Sequence, residues 1–192
     1  MKNVLIIDDT KNIRLLLTKC LEIEGYTVDS AADGKEGLEK ILAGQYDLIF
    51  LDIKLPEISG TEVLRRIRTA GIKTPVIVIT AYPTVKNAVD CTKLGAQAYL
   101  QKPFTAERLL TVLRDFWQKE ADSVHEFEET ELMVKEALAQ GDPDRAVDVI
   151  GQRIKGHMAD SQMYRLLSIA YERKGDGELA AKFLEISRIL EK

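Results

Sequence analysis

DLIFLDIKLPEISG, residues 47–60, carries four apolar side chains, Leu48, Ile49, Phe50 and Leu51, straight into an acid, Asp52, and then breaks at Pro56 and Gly60. A run this short, dense in branched and aromatic residues, predicts a strand buried on both faces. An acid at its exit lies at the rim of a core, where ionisation is costly unless a cation waits there. Taken alone, a strand-end Asp more often just starts a turn. The other strands decide whether Asp52 does more.

Strand-like and helix-like stretches alternate through residues 1–120. Apolar bursts fall at Val4–Ile7, Tyr26–Val28, Leu48–Leu51, Val76–Ile79 and Ala98–Leu100. Helix-spaced segments follow them at about 11–24, 34–43, 60–70, 84–94 and 105–118, punctuated by Gly25, Gly44, Gly71 with Pro75, and Gly95. Five strands each followed by a helix predict an α/β fold, a doubly wound parallel sheet with right-handed crossovers and helices on both faces. Ligands of such sheets bind beyond the carboxyl ends of the strands, at the switch point of the strand order. Asp52 would lie there.

Of 192 residues, 45% are hydrophobic and 30% charged, an ordinary globular composition with room for a full core and a smaller unit. No stretch approaches the roughly 18 apolar residues of a membrane span. MKNVLIIDD turns acidic after Val4–Ile7, so the start of the chain reads as a strand and not as a secretion signal. Cys20 and Cys91 lack metal-ligand spacing and read as small packing residues in a reducing, cytoplasmic compartment. Residues 1–120 carry 17 Lys+Arg against 16 Asp+Glu, and residues 121–192 carry 10 against 15. The acidic C-terminal part argues against a phosphate-binding surface there, so no nucleic acid is expected as a partner.

After residue 120 the strand signal stops. EADSVHEFEET, residues 120–130, is acidic and poor in packing residues, so 121–129 is either a linker or an extension of the preceding helix. Residues 130–192 are helical in period and repeat. GDPDRAVDVI (141–150) aligns with GDGELAAKFL (175–184) at an offset of 34, pairing Gly141 with Gly175, Asp142 with Asp176, Ala146 with Ala180, Leu132 with Leu166 and Ile150 with Leu184. This period resembles that of tetratricopeptide repeats. Tyr164, Leu167, Tyr171, Gly175, Ala180 and Leu184 fit the second copy, whereas Thr130 and Ala137 stand in the first where large aromatics are usual. A generic four-helix bundle would use the same core residues. Two repeats fall short of the roughly three that bury a stable core, so another surface must cover them.

Four strand ends carry polar chemistry: Asp8 and Asp9 end the first, Asp52 the third, Thr80 the fourth and Lys102 the fifth. If the first and third strands are neighbours, the three acids converge, and would repel and hold protons unless a cation is bound. All-oxygen ligands suit Mg2+, with Mn2+ as the second choice. A Lys and a Thr opposite would neutralise and hydrogen-bond phosphoryl oxygens. These are the parts of phosphoryl transfer: a metal, a fixed ammonium and a nucleophilic carboxylate.

In Asp8–Asp9, Asp52 with Pro56 and Gly60, Thr80–Ala81, and Lys102–Pro103–Phe104, residues 1–120 resemble the receiver domain of two-component response regulators. The resemblance implies a flavodoxin-like strand order, 2-1-3-4-5. It implies that Asp52 accepts phosphate from a histidine kinase or phosphotransfer protein. Metal would be held by Asp9, Asp52 and the backbone carbonyl of Lys54, with Asp8 assisting through water. Lys102, Thr80 and the backbone of Ile53 and Ala81 would hold the phosphoryl oxygens, with a cis Lys102–Pro103 bond aiming the lysine. Tyr99 matches the aromatic that turns inward when Thr80 moves to the phosphate, although it also reads as a partly buried strand residue. Residues 84–118 become the expected signalling face, and a phosphorylation-dependent homodimer is consistent with the family. Bulk from Lys54 and Tyr82 at the pocket mouth would slow self-dephosphorylation.

The C-terminal part lacks a basic recognition helix, a Gly-rich phosphate loop and a zinc-ligand cluster. His125 and His157 are not followed by the Lys-Gly of histidine phosphotransfer domains and read as surface residues. Glu126, Glu128, Glu129 and Glu131 read as a solvated face, with docking of a basic partner as the alternative. Trp117 reads as packing for the last receiver helix. The chain is thus expected to be a signalling protein and not an enzyme in its own right, its repeats meeting a downstream protein. A transcription regulator and a phosphorelay intermediate are the competing readings.

Overall fold

The computed structural model of the chain describes residues 1–81, 84–156 and 160–191. Two compact units divide it, Met1–Trp117 and Gln118–Lys192. The first alternates β1 (Asn3–Ile7), α1 (Lys11–Ile23), β2 (Thr27–Ala31), α2 (Gly34–Ala43), β3 (Leu48–Asp52), α3 (Gly60–Thr69), β4 (Val76–Thr80), α4 (Val85–Lys93), β5 (Ala98–Gln101) and the start of α5 (Ala106–Ala139). The strands form one five-stranded parallel sheet in the order β2-β1-β3-β4-β5.

Register decides what the sheet does. Ile7 is level with Leu51, Asp52 with Ile79, and Thr80 with Gln101. The residues that leave β1, β3, β4 and β5 therefore emerge along one rim. Alternate strand residues face opposite ways. Val4, Ile6, Leu48, Phe50, Ile77 and Ile79 pack with Leu17 and Leu21 of α1 and Leu109, Leu113 and Phe116 of α5. Leu5, Ile7, Ile49, Leu51, Val76 and Val78 pack with Ile41 of α2 and Val63, Leu64 and Ile67 of α3. Both faces are covered, which is why the central runs are apolar without alternation.

β2 begins after Tyr26 and extends through Asp29 and Ser30, unlike the apolar burst expected at Tyr26–Val28. It is an edge strand, half-exposed, so its sequence need not be apolar. Lys40 of α2 donates to Asp29 Oδ1 at 2.8 Å and to Ser30 O at 2.7 Å, and the Tyr46 hydroxyl donates to Asp29 Oδ2 at 3.0 Å. At the other end of the sheet, Arg68 of α3 donates to Ile72 O, Thr74 O, Leu94 O and Gly95 O at 2.7–3.3 Å. One guanidinium thus supplies partners for the carbonyls left over where α4 ends and where the chain turns into β4.

α5 runs unbroken through the acidic stretch at 120–130 and on to Ala139. α6 (Pro143–Gly156), α7 (Ser161–Lys174) and α8 (Gly177–Glu191) follow. Val134, Ala137, Ala146, Ile150, Met163, Leu166, Leu167 and Ala170 form the core of this second unit. Two of its turns are built alike, 34 residues apart. Gly141 and Gly175 take φ of +75° and +84°, a left-handed conformation natural to glycine. Asp142 N–H then donates to Ala137 O, and Asp176 N–H to Tyr171 O, at 2.9 and 3.0 Å. The Asp142 carboxylate accepts from Arg145 N–H and that of Asp176 from Leu179 N–H, capping α6 and α8. Ala146 and Ala180 are both buried, but Leu132 is exposed where its counterpart Leu166 is buried. On this part of α5 the core is met by Val134 and Ala137 instead.

Among the described residues no helix is long and apolar enough to cross a membrane.

Candidate functional site

The rim above β1, β3, β4 and β5 gathers the polar strand ends. Carboxylate oxygens of Asp8, Asp9 and Asp52 all lie within 4.8 Å of one another. Asp8 and Asp52 are buried and Asp9 is exposed, so the cluster opens to solvent on one side. Lys102, the residue after β5, reaches across with its Nζ 2.5 Å from Asp52 Oδ2 and 2.7 Å from Asp8 Oδ2. The Lys102–Pro103 peptide is cis.

Each acid is held by its loop. Asp52 Oδ1 accepts from Lys54 N–H at 3.0 Å. Asp8 Oδ1 accepts from Thr10 N–H at 2.9 Å, and the Thr10 hydroxyl donates to Asp9 Oδ1 at 3.2 Å. Gly60 opens α3 directly against the end of β3, and a Cβ there would stand 1.9 Å from the carbonyl oxygen of Asp52. Glycine at this position lets the loop after Asp52 close and bring the start of α3 against the end of β3.

The electrostatics follow from the geometry. Burial pushes the Asp8 carboxyl above its ordinary value; the Lys102 ammonium and the Thr10 N–H pull it back, while the Asp52 charge adds to the rise. Burial also acts against the Lys102 ammonium, but the Asp52 and Asp8 carboxylates prevail and its pKa is raised. Asp8 Oδ2 is buried in ion-pair contact with Lys102, yet no aligned hydrogen-bond donor reaches it among the described residues. Three carboxylates against the Lys102 ammonium and the Arg14 guanidinium leave the cluster short of positive charge among the described residues. A hard divalent cation bound by oxygen fits that donor set.

The remaining expected residues are placed as follows. Thr80 is buried at the end of β4, and its carbonyl accepts from Lys102 N–H at 2.8 Å. Ala81 follows it and is exposed. Ile53 is buried, and its N–H donates to Ile79 O at 3.3 Å, continuing the β3–β4 ladder by one rung. The Lys54 side chain is exposed. Tyr99 is half-buried on β5, away from the acids in register, and its hydroxyl donates to Ala88 O of α4 at 2.8 Å. Burial, with Cys91 beside it, raises its pKa. Tyr82 and His157 lie outside the described residues. Trp117 packs against the α1–α5 core, with Lys2 Nζ 3.0 Å above its ring. Sequence reasoning passed over Arg14, whose guanidinium bonds the main-chain carbonyls of Asp8 and Asp9; contacts to backbone leave no motif.

The profile of the response regulator receiver domain matches residues 4–114. The chain belongs to that family. Transcriptional regulatory protein DltR of Streptococcus agalactiae is 46% identical over 111 residues, 58% of this chain and 50% of that protein. The crystal structure of a CheY-like receiver domain protein from Methanospirillum hungatei is 34% identical with a TM-score of 0.60, covering 64% of this chain and 98% of that one. TrrA from Thermotoga maritima, solved in complex with Mg(2+)-BeF, is 39% identical with a TM-score of 0.54, covering 60% and 98%. The chain spans about half the length of the curated relatives it matches. The C-terminal helices lie beyond the matched residues.

Proposed function

We propose that the chain is a response regulator that takes a phosphoryl group onto Asp52 from the phosphohistidine of a kinase or phosphotransfer protein. The observation that carries this reading is the Lys102 ammonium lodged between Asp8 and Asp52 at the open rim of three clustered acids. Asp9, Asp52 and the Lys54 carbonyl would hold Mg2+, with Asp8 behind them. Bound there, the ion would neutralise phosphoryl oxygens and allow one carboxylate among three to approach phosphorus. An Asp52 oxygen attacks the phosphorus in line, the P–N bond breaks, and its electron pair stays on the departing imidazole. Lys102, Thr80 and the N–H groups of Ile53 and Ala81 would then face the phosphoryl oxygens; Ile53 would have to release Ile79 O. TrrA, a relative over this region, was solved with Mg(2+)-BeF, which supports the same chemistry here.

Output would pass through the C-terminal helices as two tetratricopeptide-like hairpins in residues 130–192 that meet a downstream protein. The like-built turns at Gly141–Asp142 and Gly175–Asp176, 34 residues apart, support that reading. Curated relatives named as transcriptional regulators favour a second reading, control of transcription. Mobility shift against genomic fragments, with a steep salt dependence, separates the two. For the central reading, purified chain incubated with Mg2+ and acetyl phosphate should acquire an acid-stable, base-labile phosphoryl group. Asp52→Ala should abolish it; undiminished labelling of that variant refutes the assignment.

A further inference from the structure

We propose that Arg14 is a positioning residue for the metal-binding acids: by bonding the carbonyls of Asp8 and Asp9 it fixes the main chain from which both carboxylates project. This rests on the Mg2+-dependent reading above.

Helix electrostatics do not account for Arg14. The first turn of α1 contains no acid, and cations at a helix start oppose the helix dipole. The side chain instead turns back out of the helix. Its Nη1 donates to Asp8 O at 2.7 Å and to Asp9 O at 3.1 Å, bridging the two peptides that flank the Asp9 Cα. Asp8 has further support, because its N–H donates to Ala31 O at 3.2 Å and its carboxylate accepts from Thr10 N–H. Asp9 is exposed and gains no support from a packed core, so its direction depends on its backbone being held. One nitrogen bonded to two successive carbonyls restricts φ and ψ of Asp9, the two rotations that lie between them. Asp9 is then aimed at Asp52 before any ion arrives.

The sign of the effect separates positioning from charge. If Arg14 acted only as a nearby positive charge, removing it would tighten the binding of a cation. If it positions the ligands, removing it weakens binding, by about ten- to a hundredfold as is usual for groups that orient metal ligands.

Calorimetric titration of the full chain with Mg2+ tests this, with near-ultraviolet circular dichroism as the check on folding. Arg14→Ala should raise the Kd for Mg2+ about tenfold or more. Arg14→Lys keeps the charge but loses the fixed plane and reach that place Nη1 between the two carbonyls, and should fall between the two; it decides the matter if Arg14→Ala does not fold. A wild-type chain that binds Mg2+, with Arg14 variants that bind it equally or more tightly, overturns this inference alone. A wild-type chain that takes up no Mg2+ overturns the phosphoryl-transfer reading with it.

Discussion

Asp8 stands where its ionisation is opposed, and this sets how the site answers to pH. Its pKa is raised, chiefly by burial, with Asp52 adding to the rise against Lys102 and Thr10. A carboxyl raised in the folded protein holds its proton to a higher pH than in the unfolded chain. That contribution to stability is fully present below the ordinary Asp range and is lost as pH climbs through the raised value. A divalent ion has to displace the same proton. Mg2+ affinity should therefore fall over the acidic range, beginning at a higher pH than an ordinary Asp carboxyl would set. Calorimetry across that range checks it: the decline should flatten in Asp8→Asn, and a pH-independent wild-type affinity would contradict it. Gly60 is the other residue on which the site turns. Its Cβ would stand 1.9 Å from Asp52 O, 2.8 Å from the Asp52 carbonyl carbon and 2.9 Å from Ile53 Cα, all of it backbone that no side-chain rotation can move. Gly60→Ala should lower unfolding stability by about 1–3 kcal/mol, read by urea denaturation, and slow phosphorylation in the fraction that folds. Wild-type stability in that variant would mean that the loop has slack.

At the scale of elements, glycines divide by what they do. Gly151 lies inside α6, and an added Cβ would meet nothing within 4 Å. Gly151→Ala should raise the stability of the second unit by about 0.5–1 kcal/mol, because glycine loses more backbone freedom in a helix than alanine. Gly141 and Gly175 are equally uncrowded but left-handed, so Ala at either should destabilise. Thermal melts followed by circular dichroism distinguish the two outcomes, and a loss of stability in Gly151→Ala would show that its backbone is not ordinary helix. The same contrast explains what was legible in the sequence. β1, β3 and β4 lie inside the sheet with helices on both faces, so burial wrote them as apolar runs. β2 borders solvent on one side, so only the Tyr26–Val28 burst at its start read as a strand and Asp29 and Ser30 hid how far it runs. The acidic stretch of α5 left a linker and a helix extension both open, because sequence shows polarity, not whether a helix continues through it. The acids of the site were legible because Asp8 and Asp9 follow the buried β1 and Asp52 ends the buried β3. Arg14 and Arg68 were not, since their partners are carbonyls that any residue could supply.

For the whole molecule, two compact units imply that unfolding need not be one transition. Trp117 is the single tryptophan, and it belongs to the first unit, edge-on to Phe116 at 4.6 Å beneath Lys2. Its fluorescence should follow the sheet unit, whereas far-ultraviolet circular dichroism follows helices in both. Mg2+ at about a hundred times its Kd should add about 2.7 kcal/mol to the unit that binds it, shifting the fluorescence transition more than the dichroism one. Equal shifts by both probes would indicate a single cooperative unit. The edge of the sheet carries a last consequence, one for solubility. Ala31 O accepts from Asp8 N–H toward the sheet, so the neighbouring Ser30 O faces the other way, where a foreign strand could pair, and the Lys40 ammonium already occupies it. The ammonium opposes strand addition at that carbonyl, and Lys40→Met should make warmed, concentrated solutions scatter light sooner than wild type.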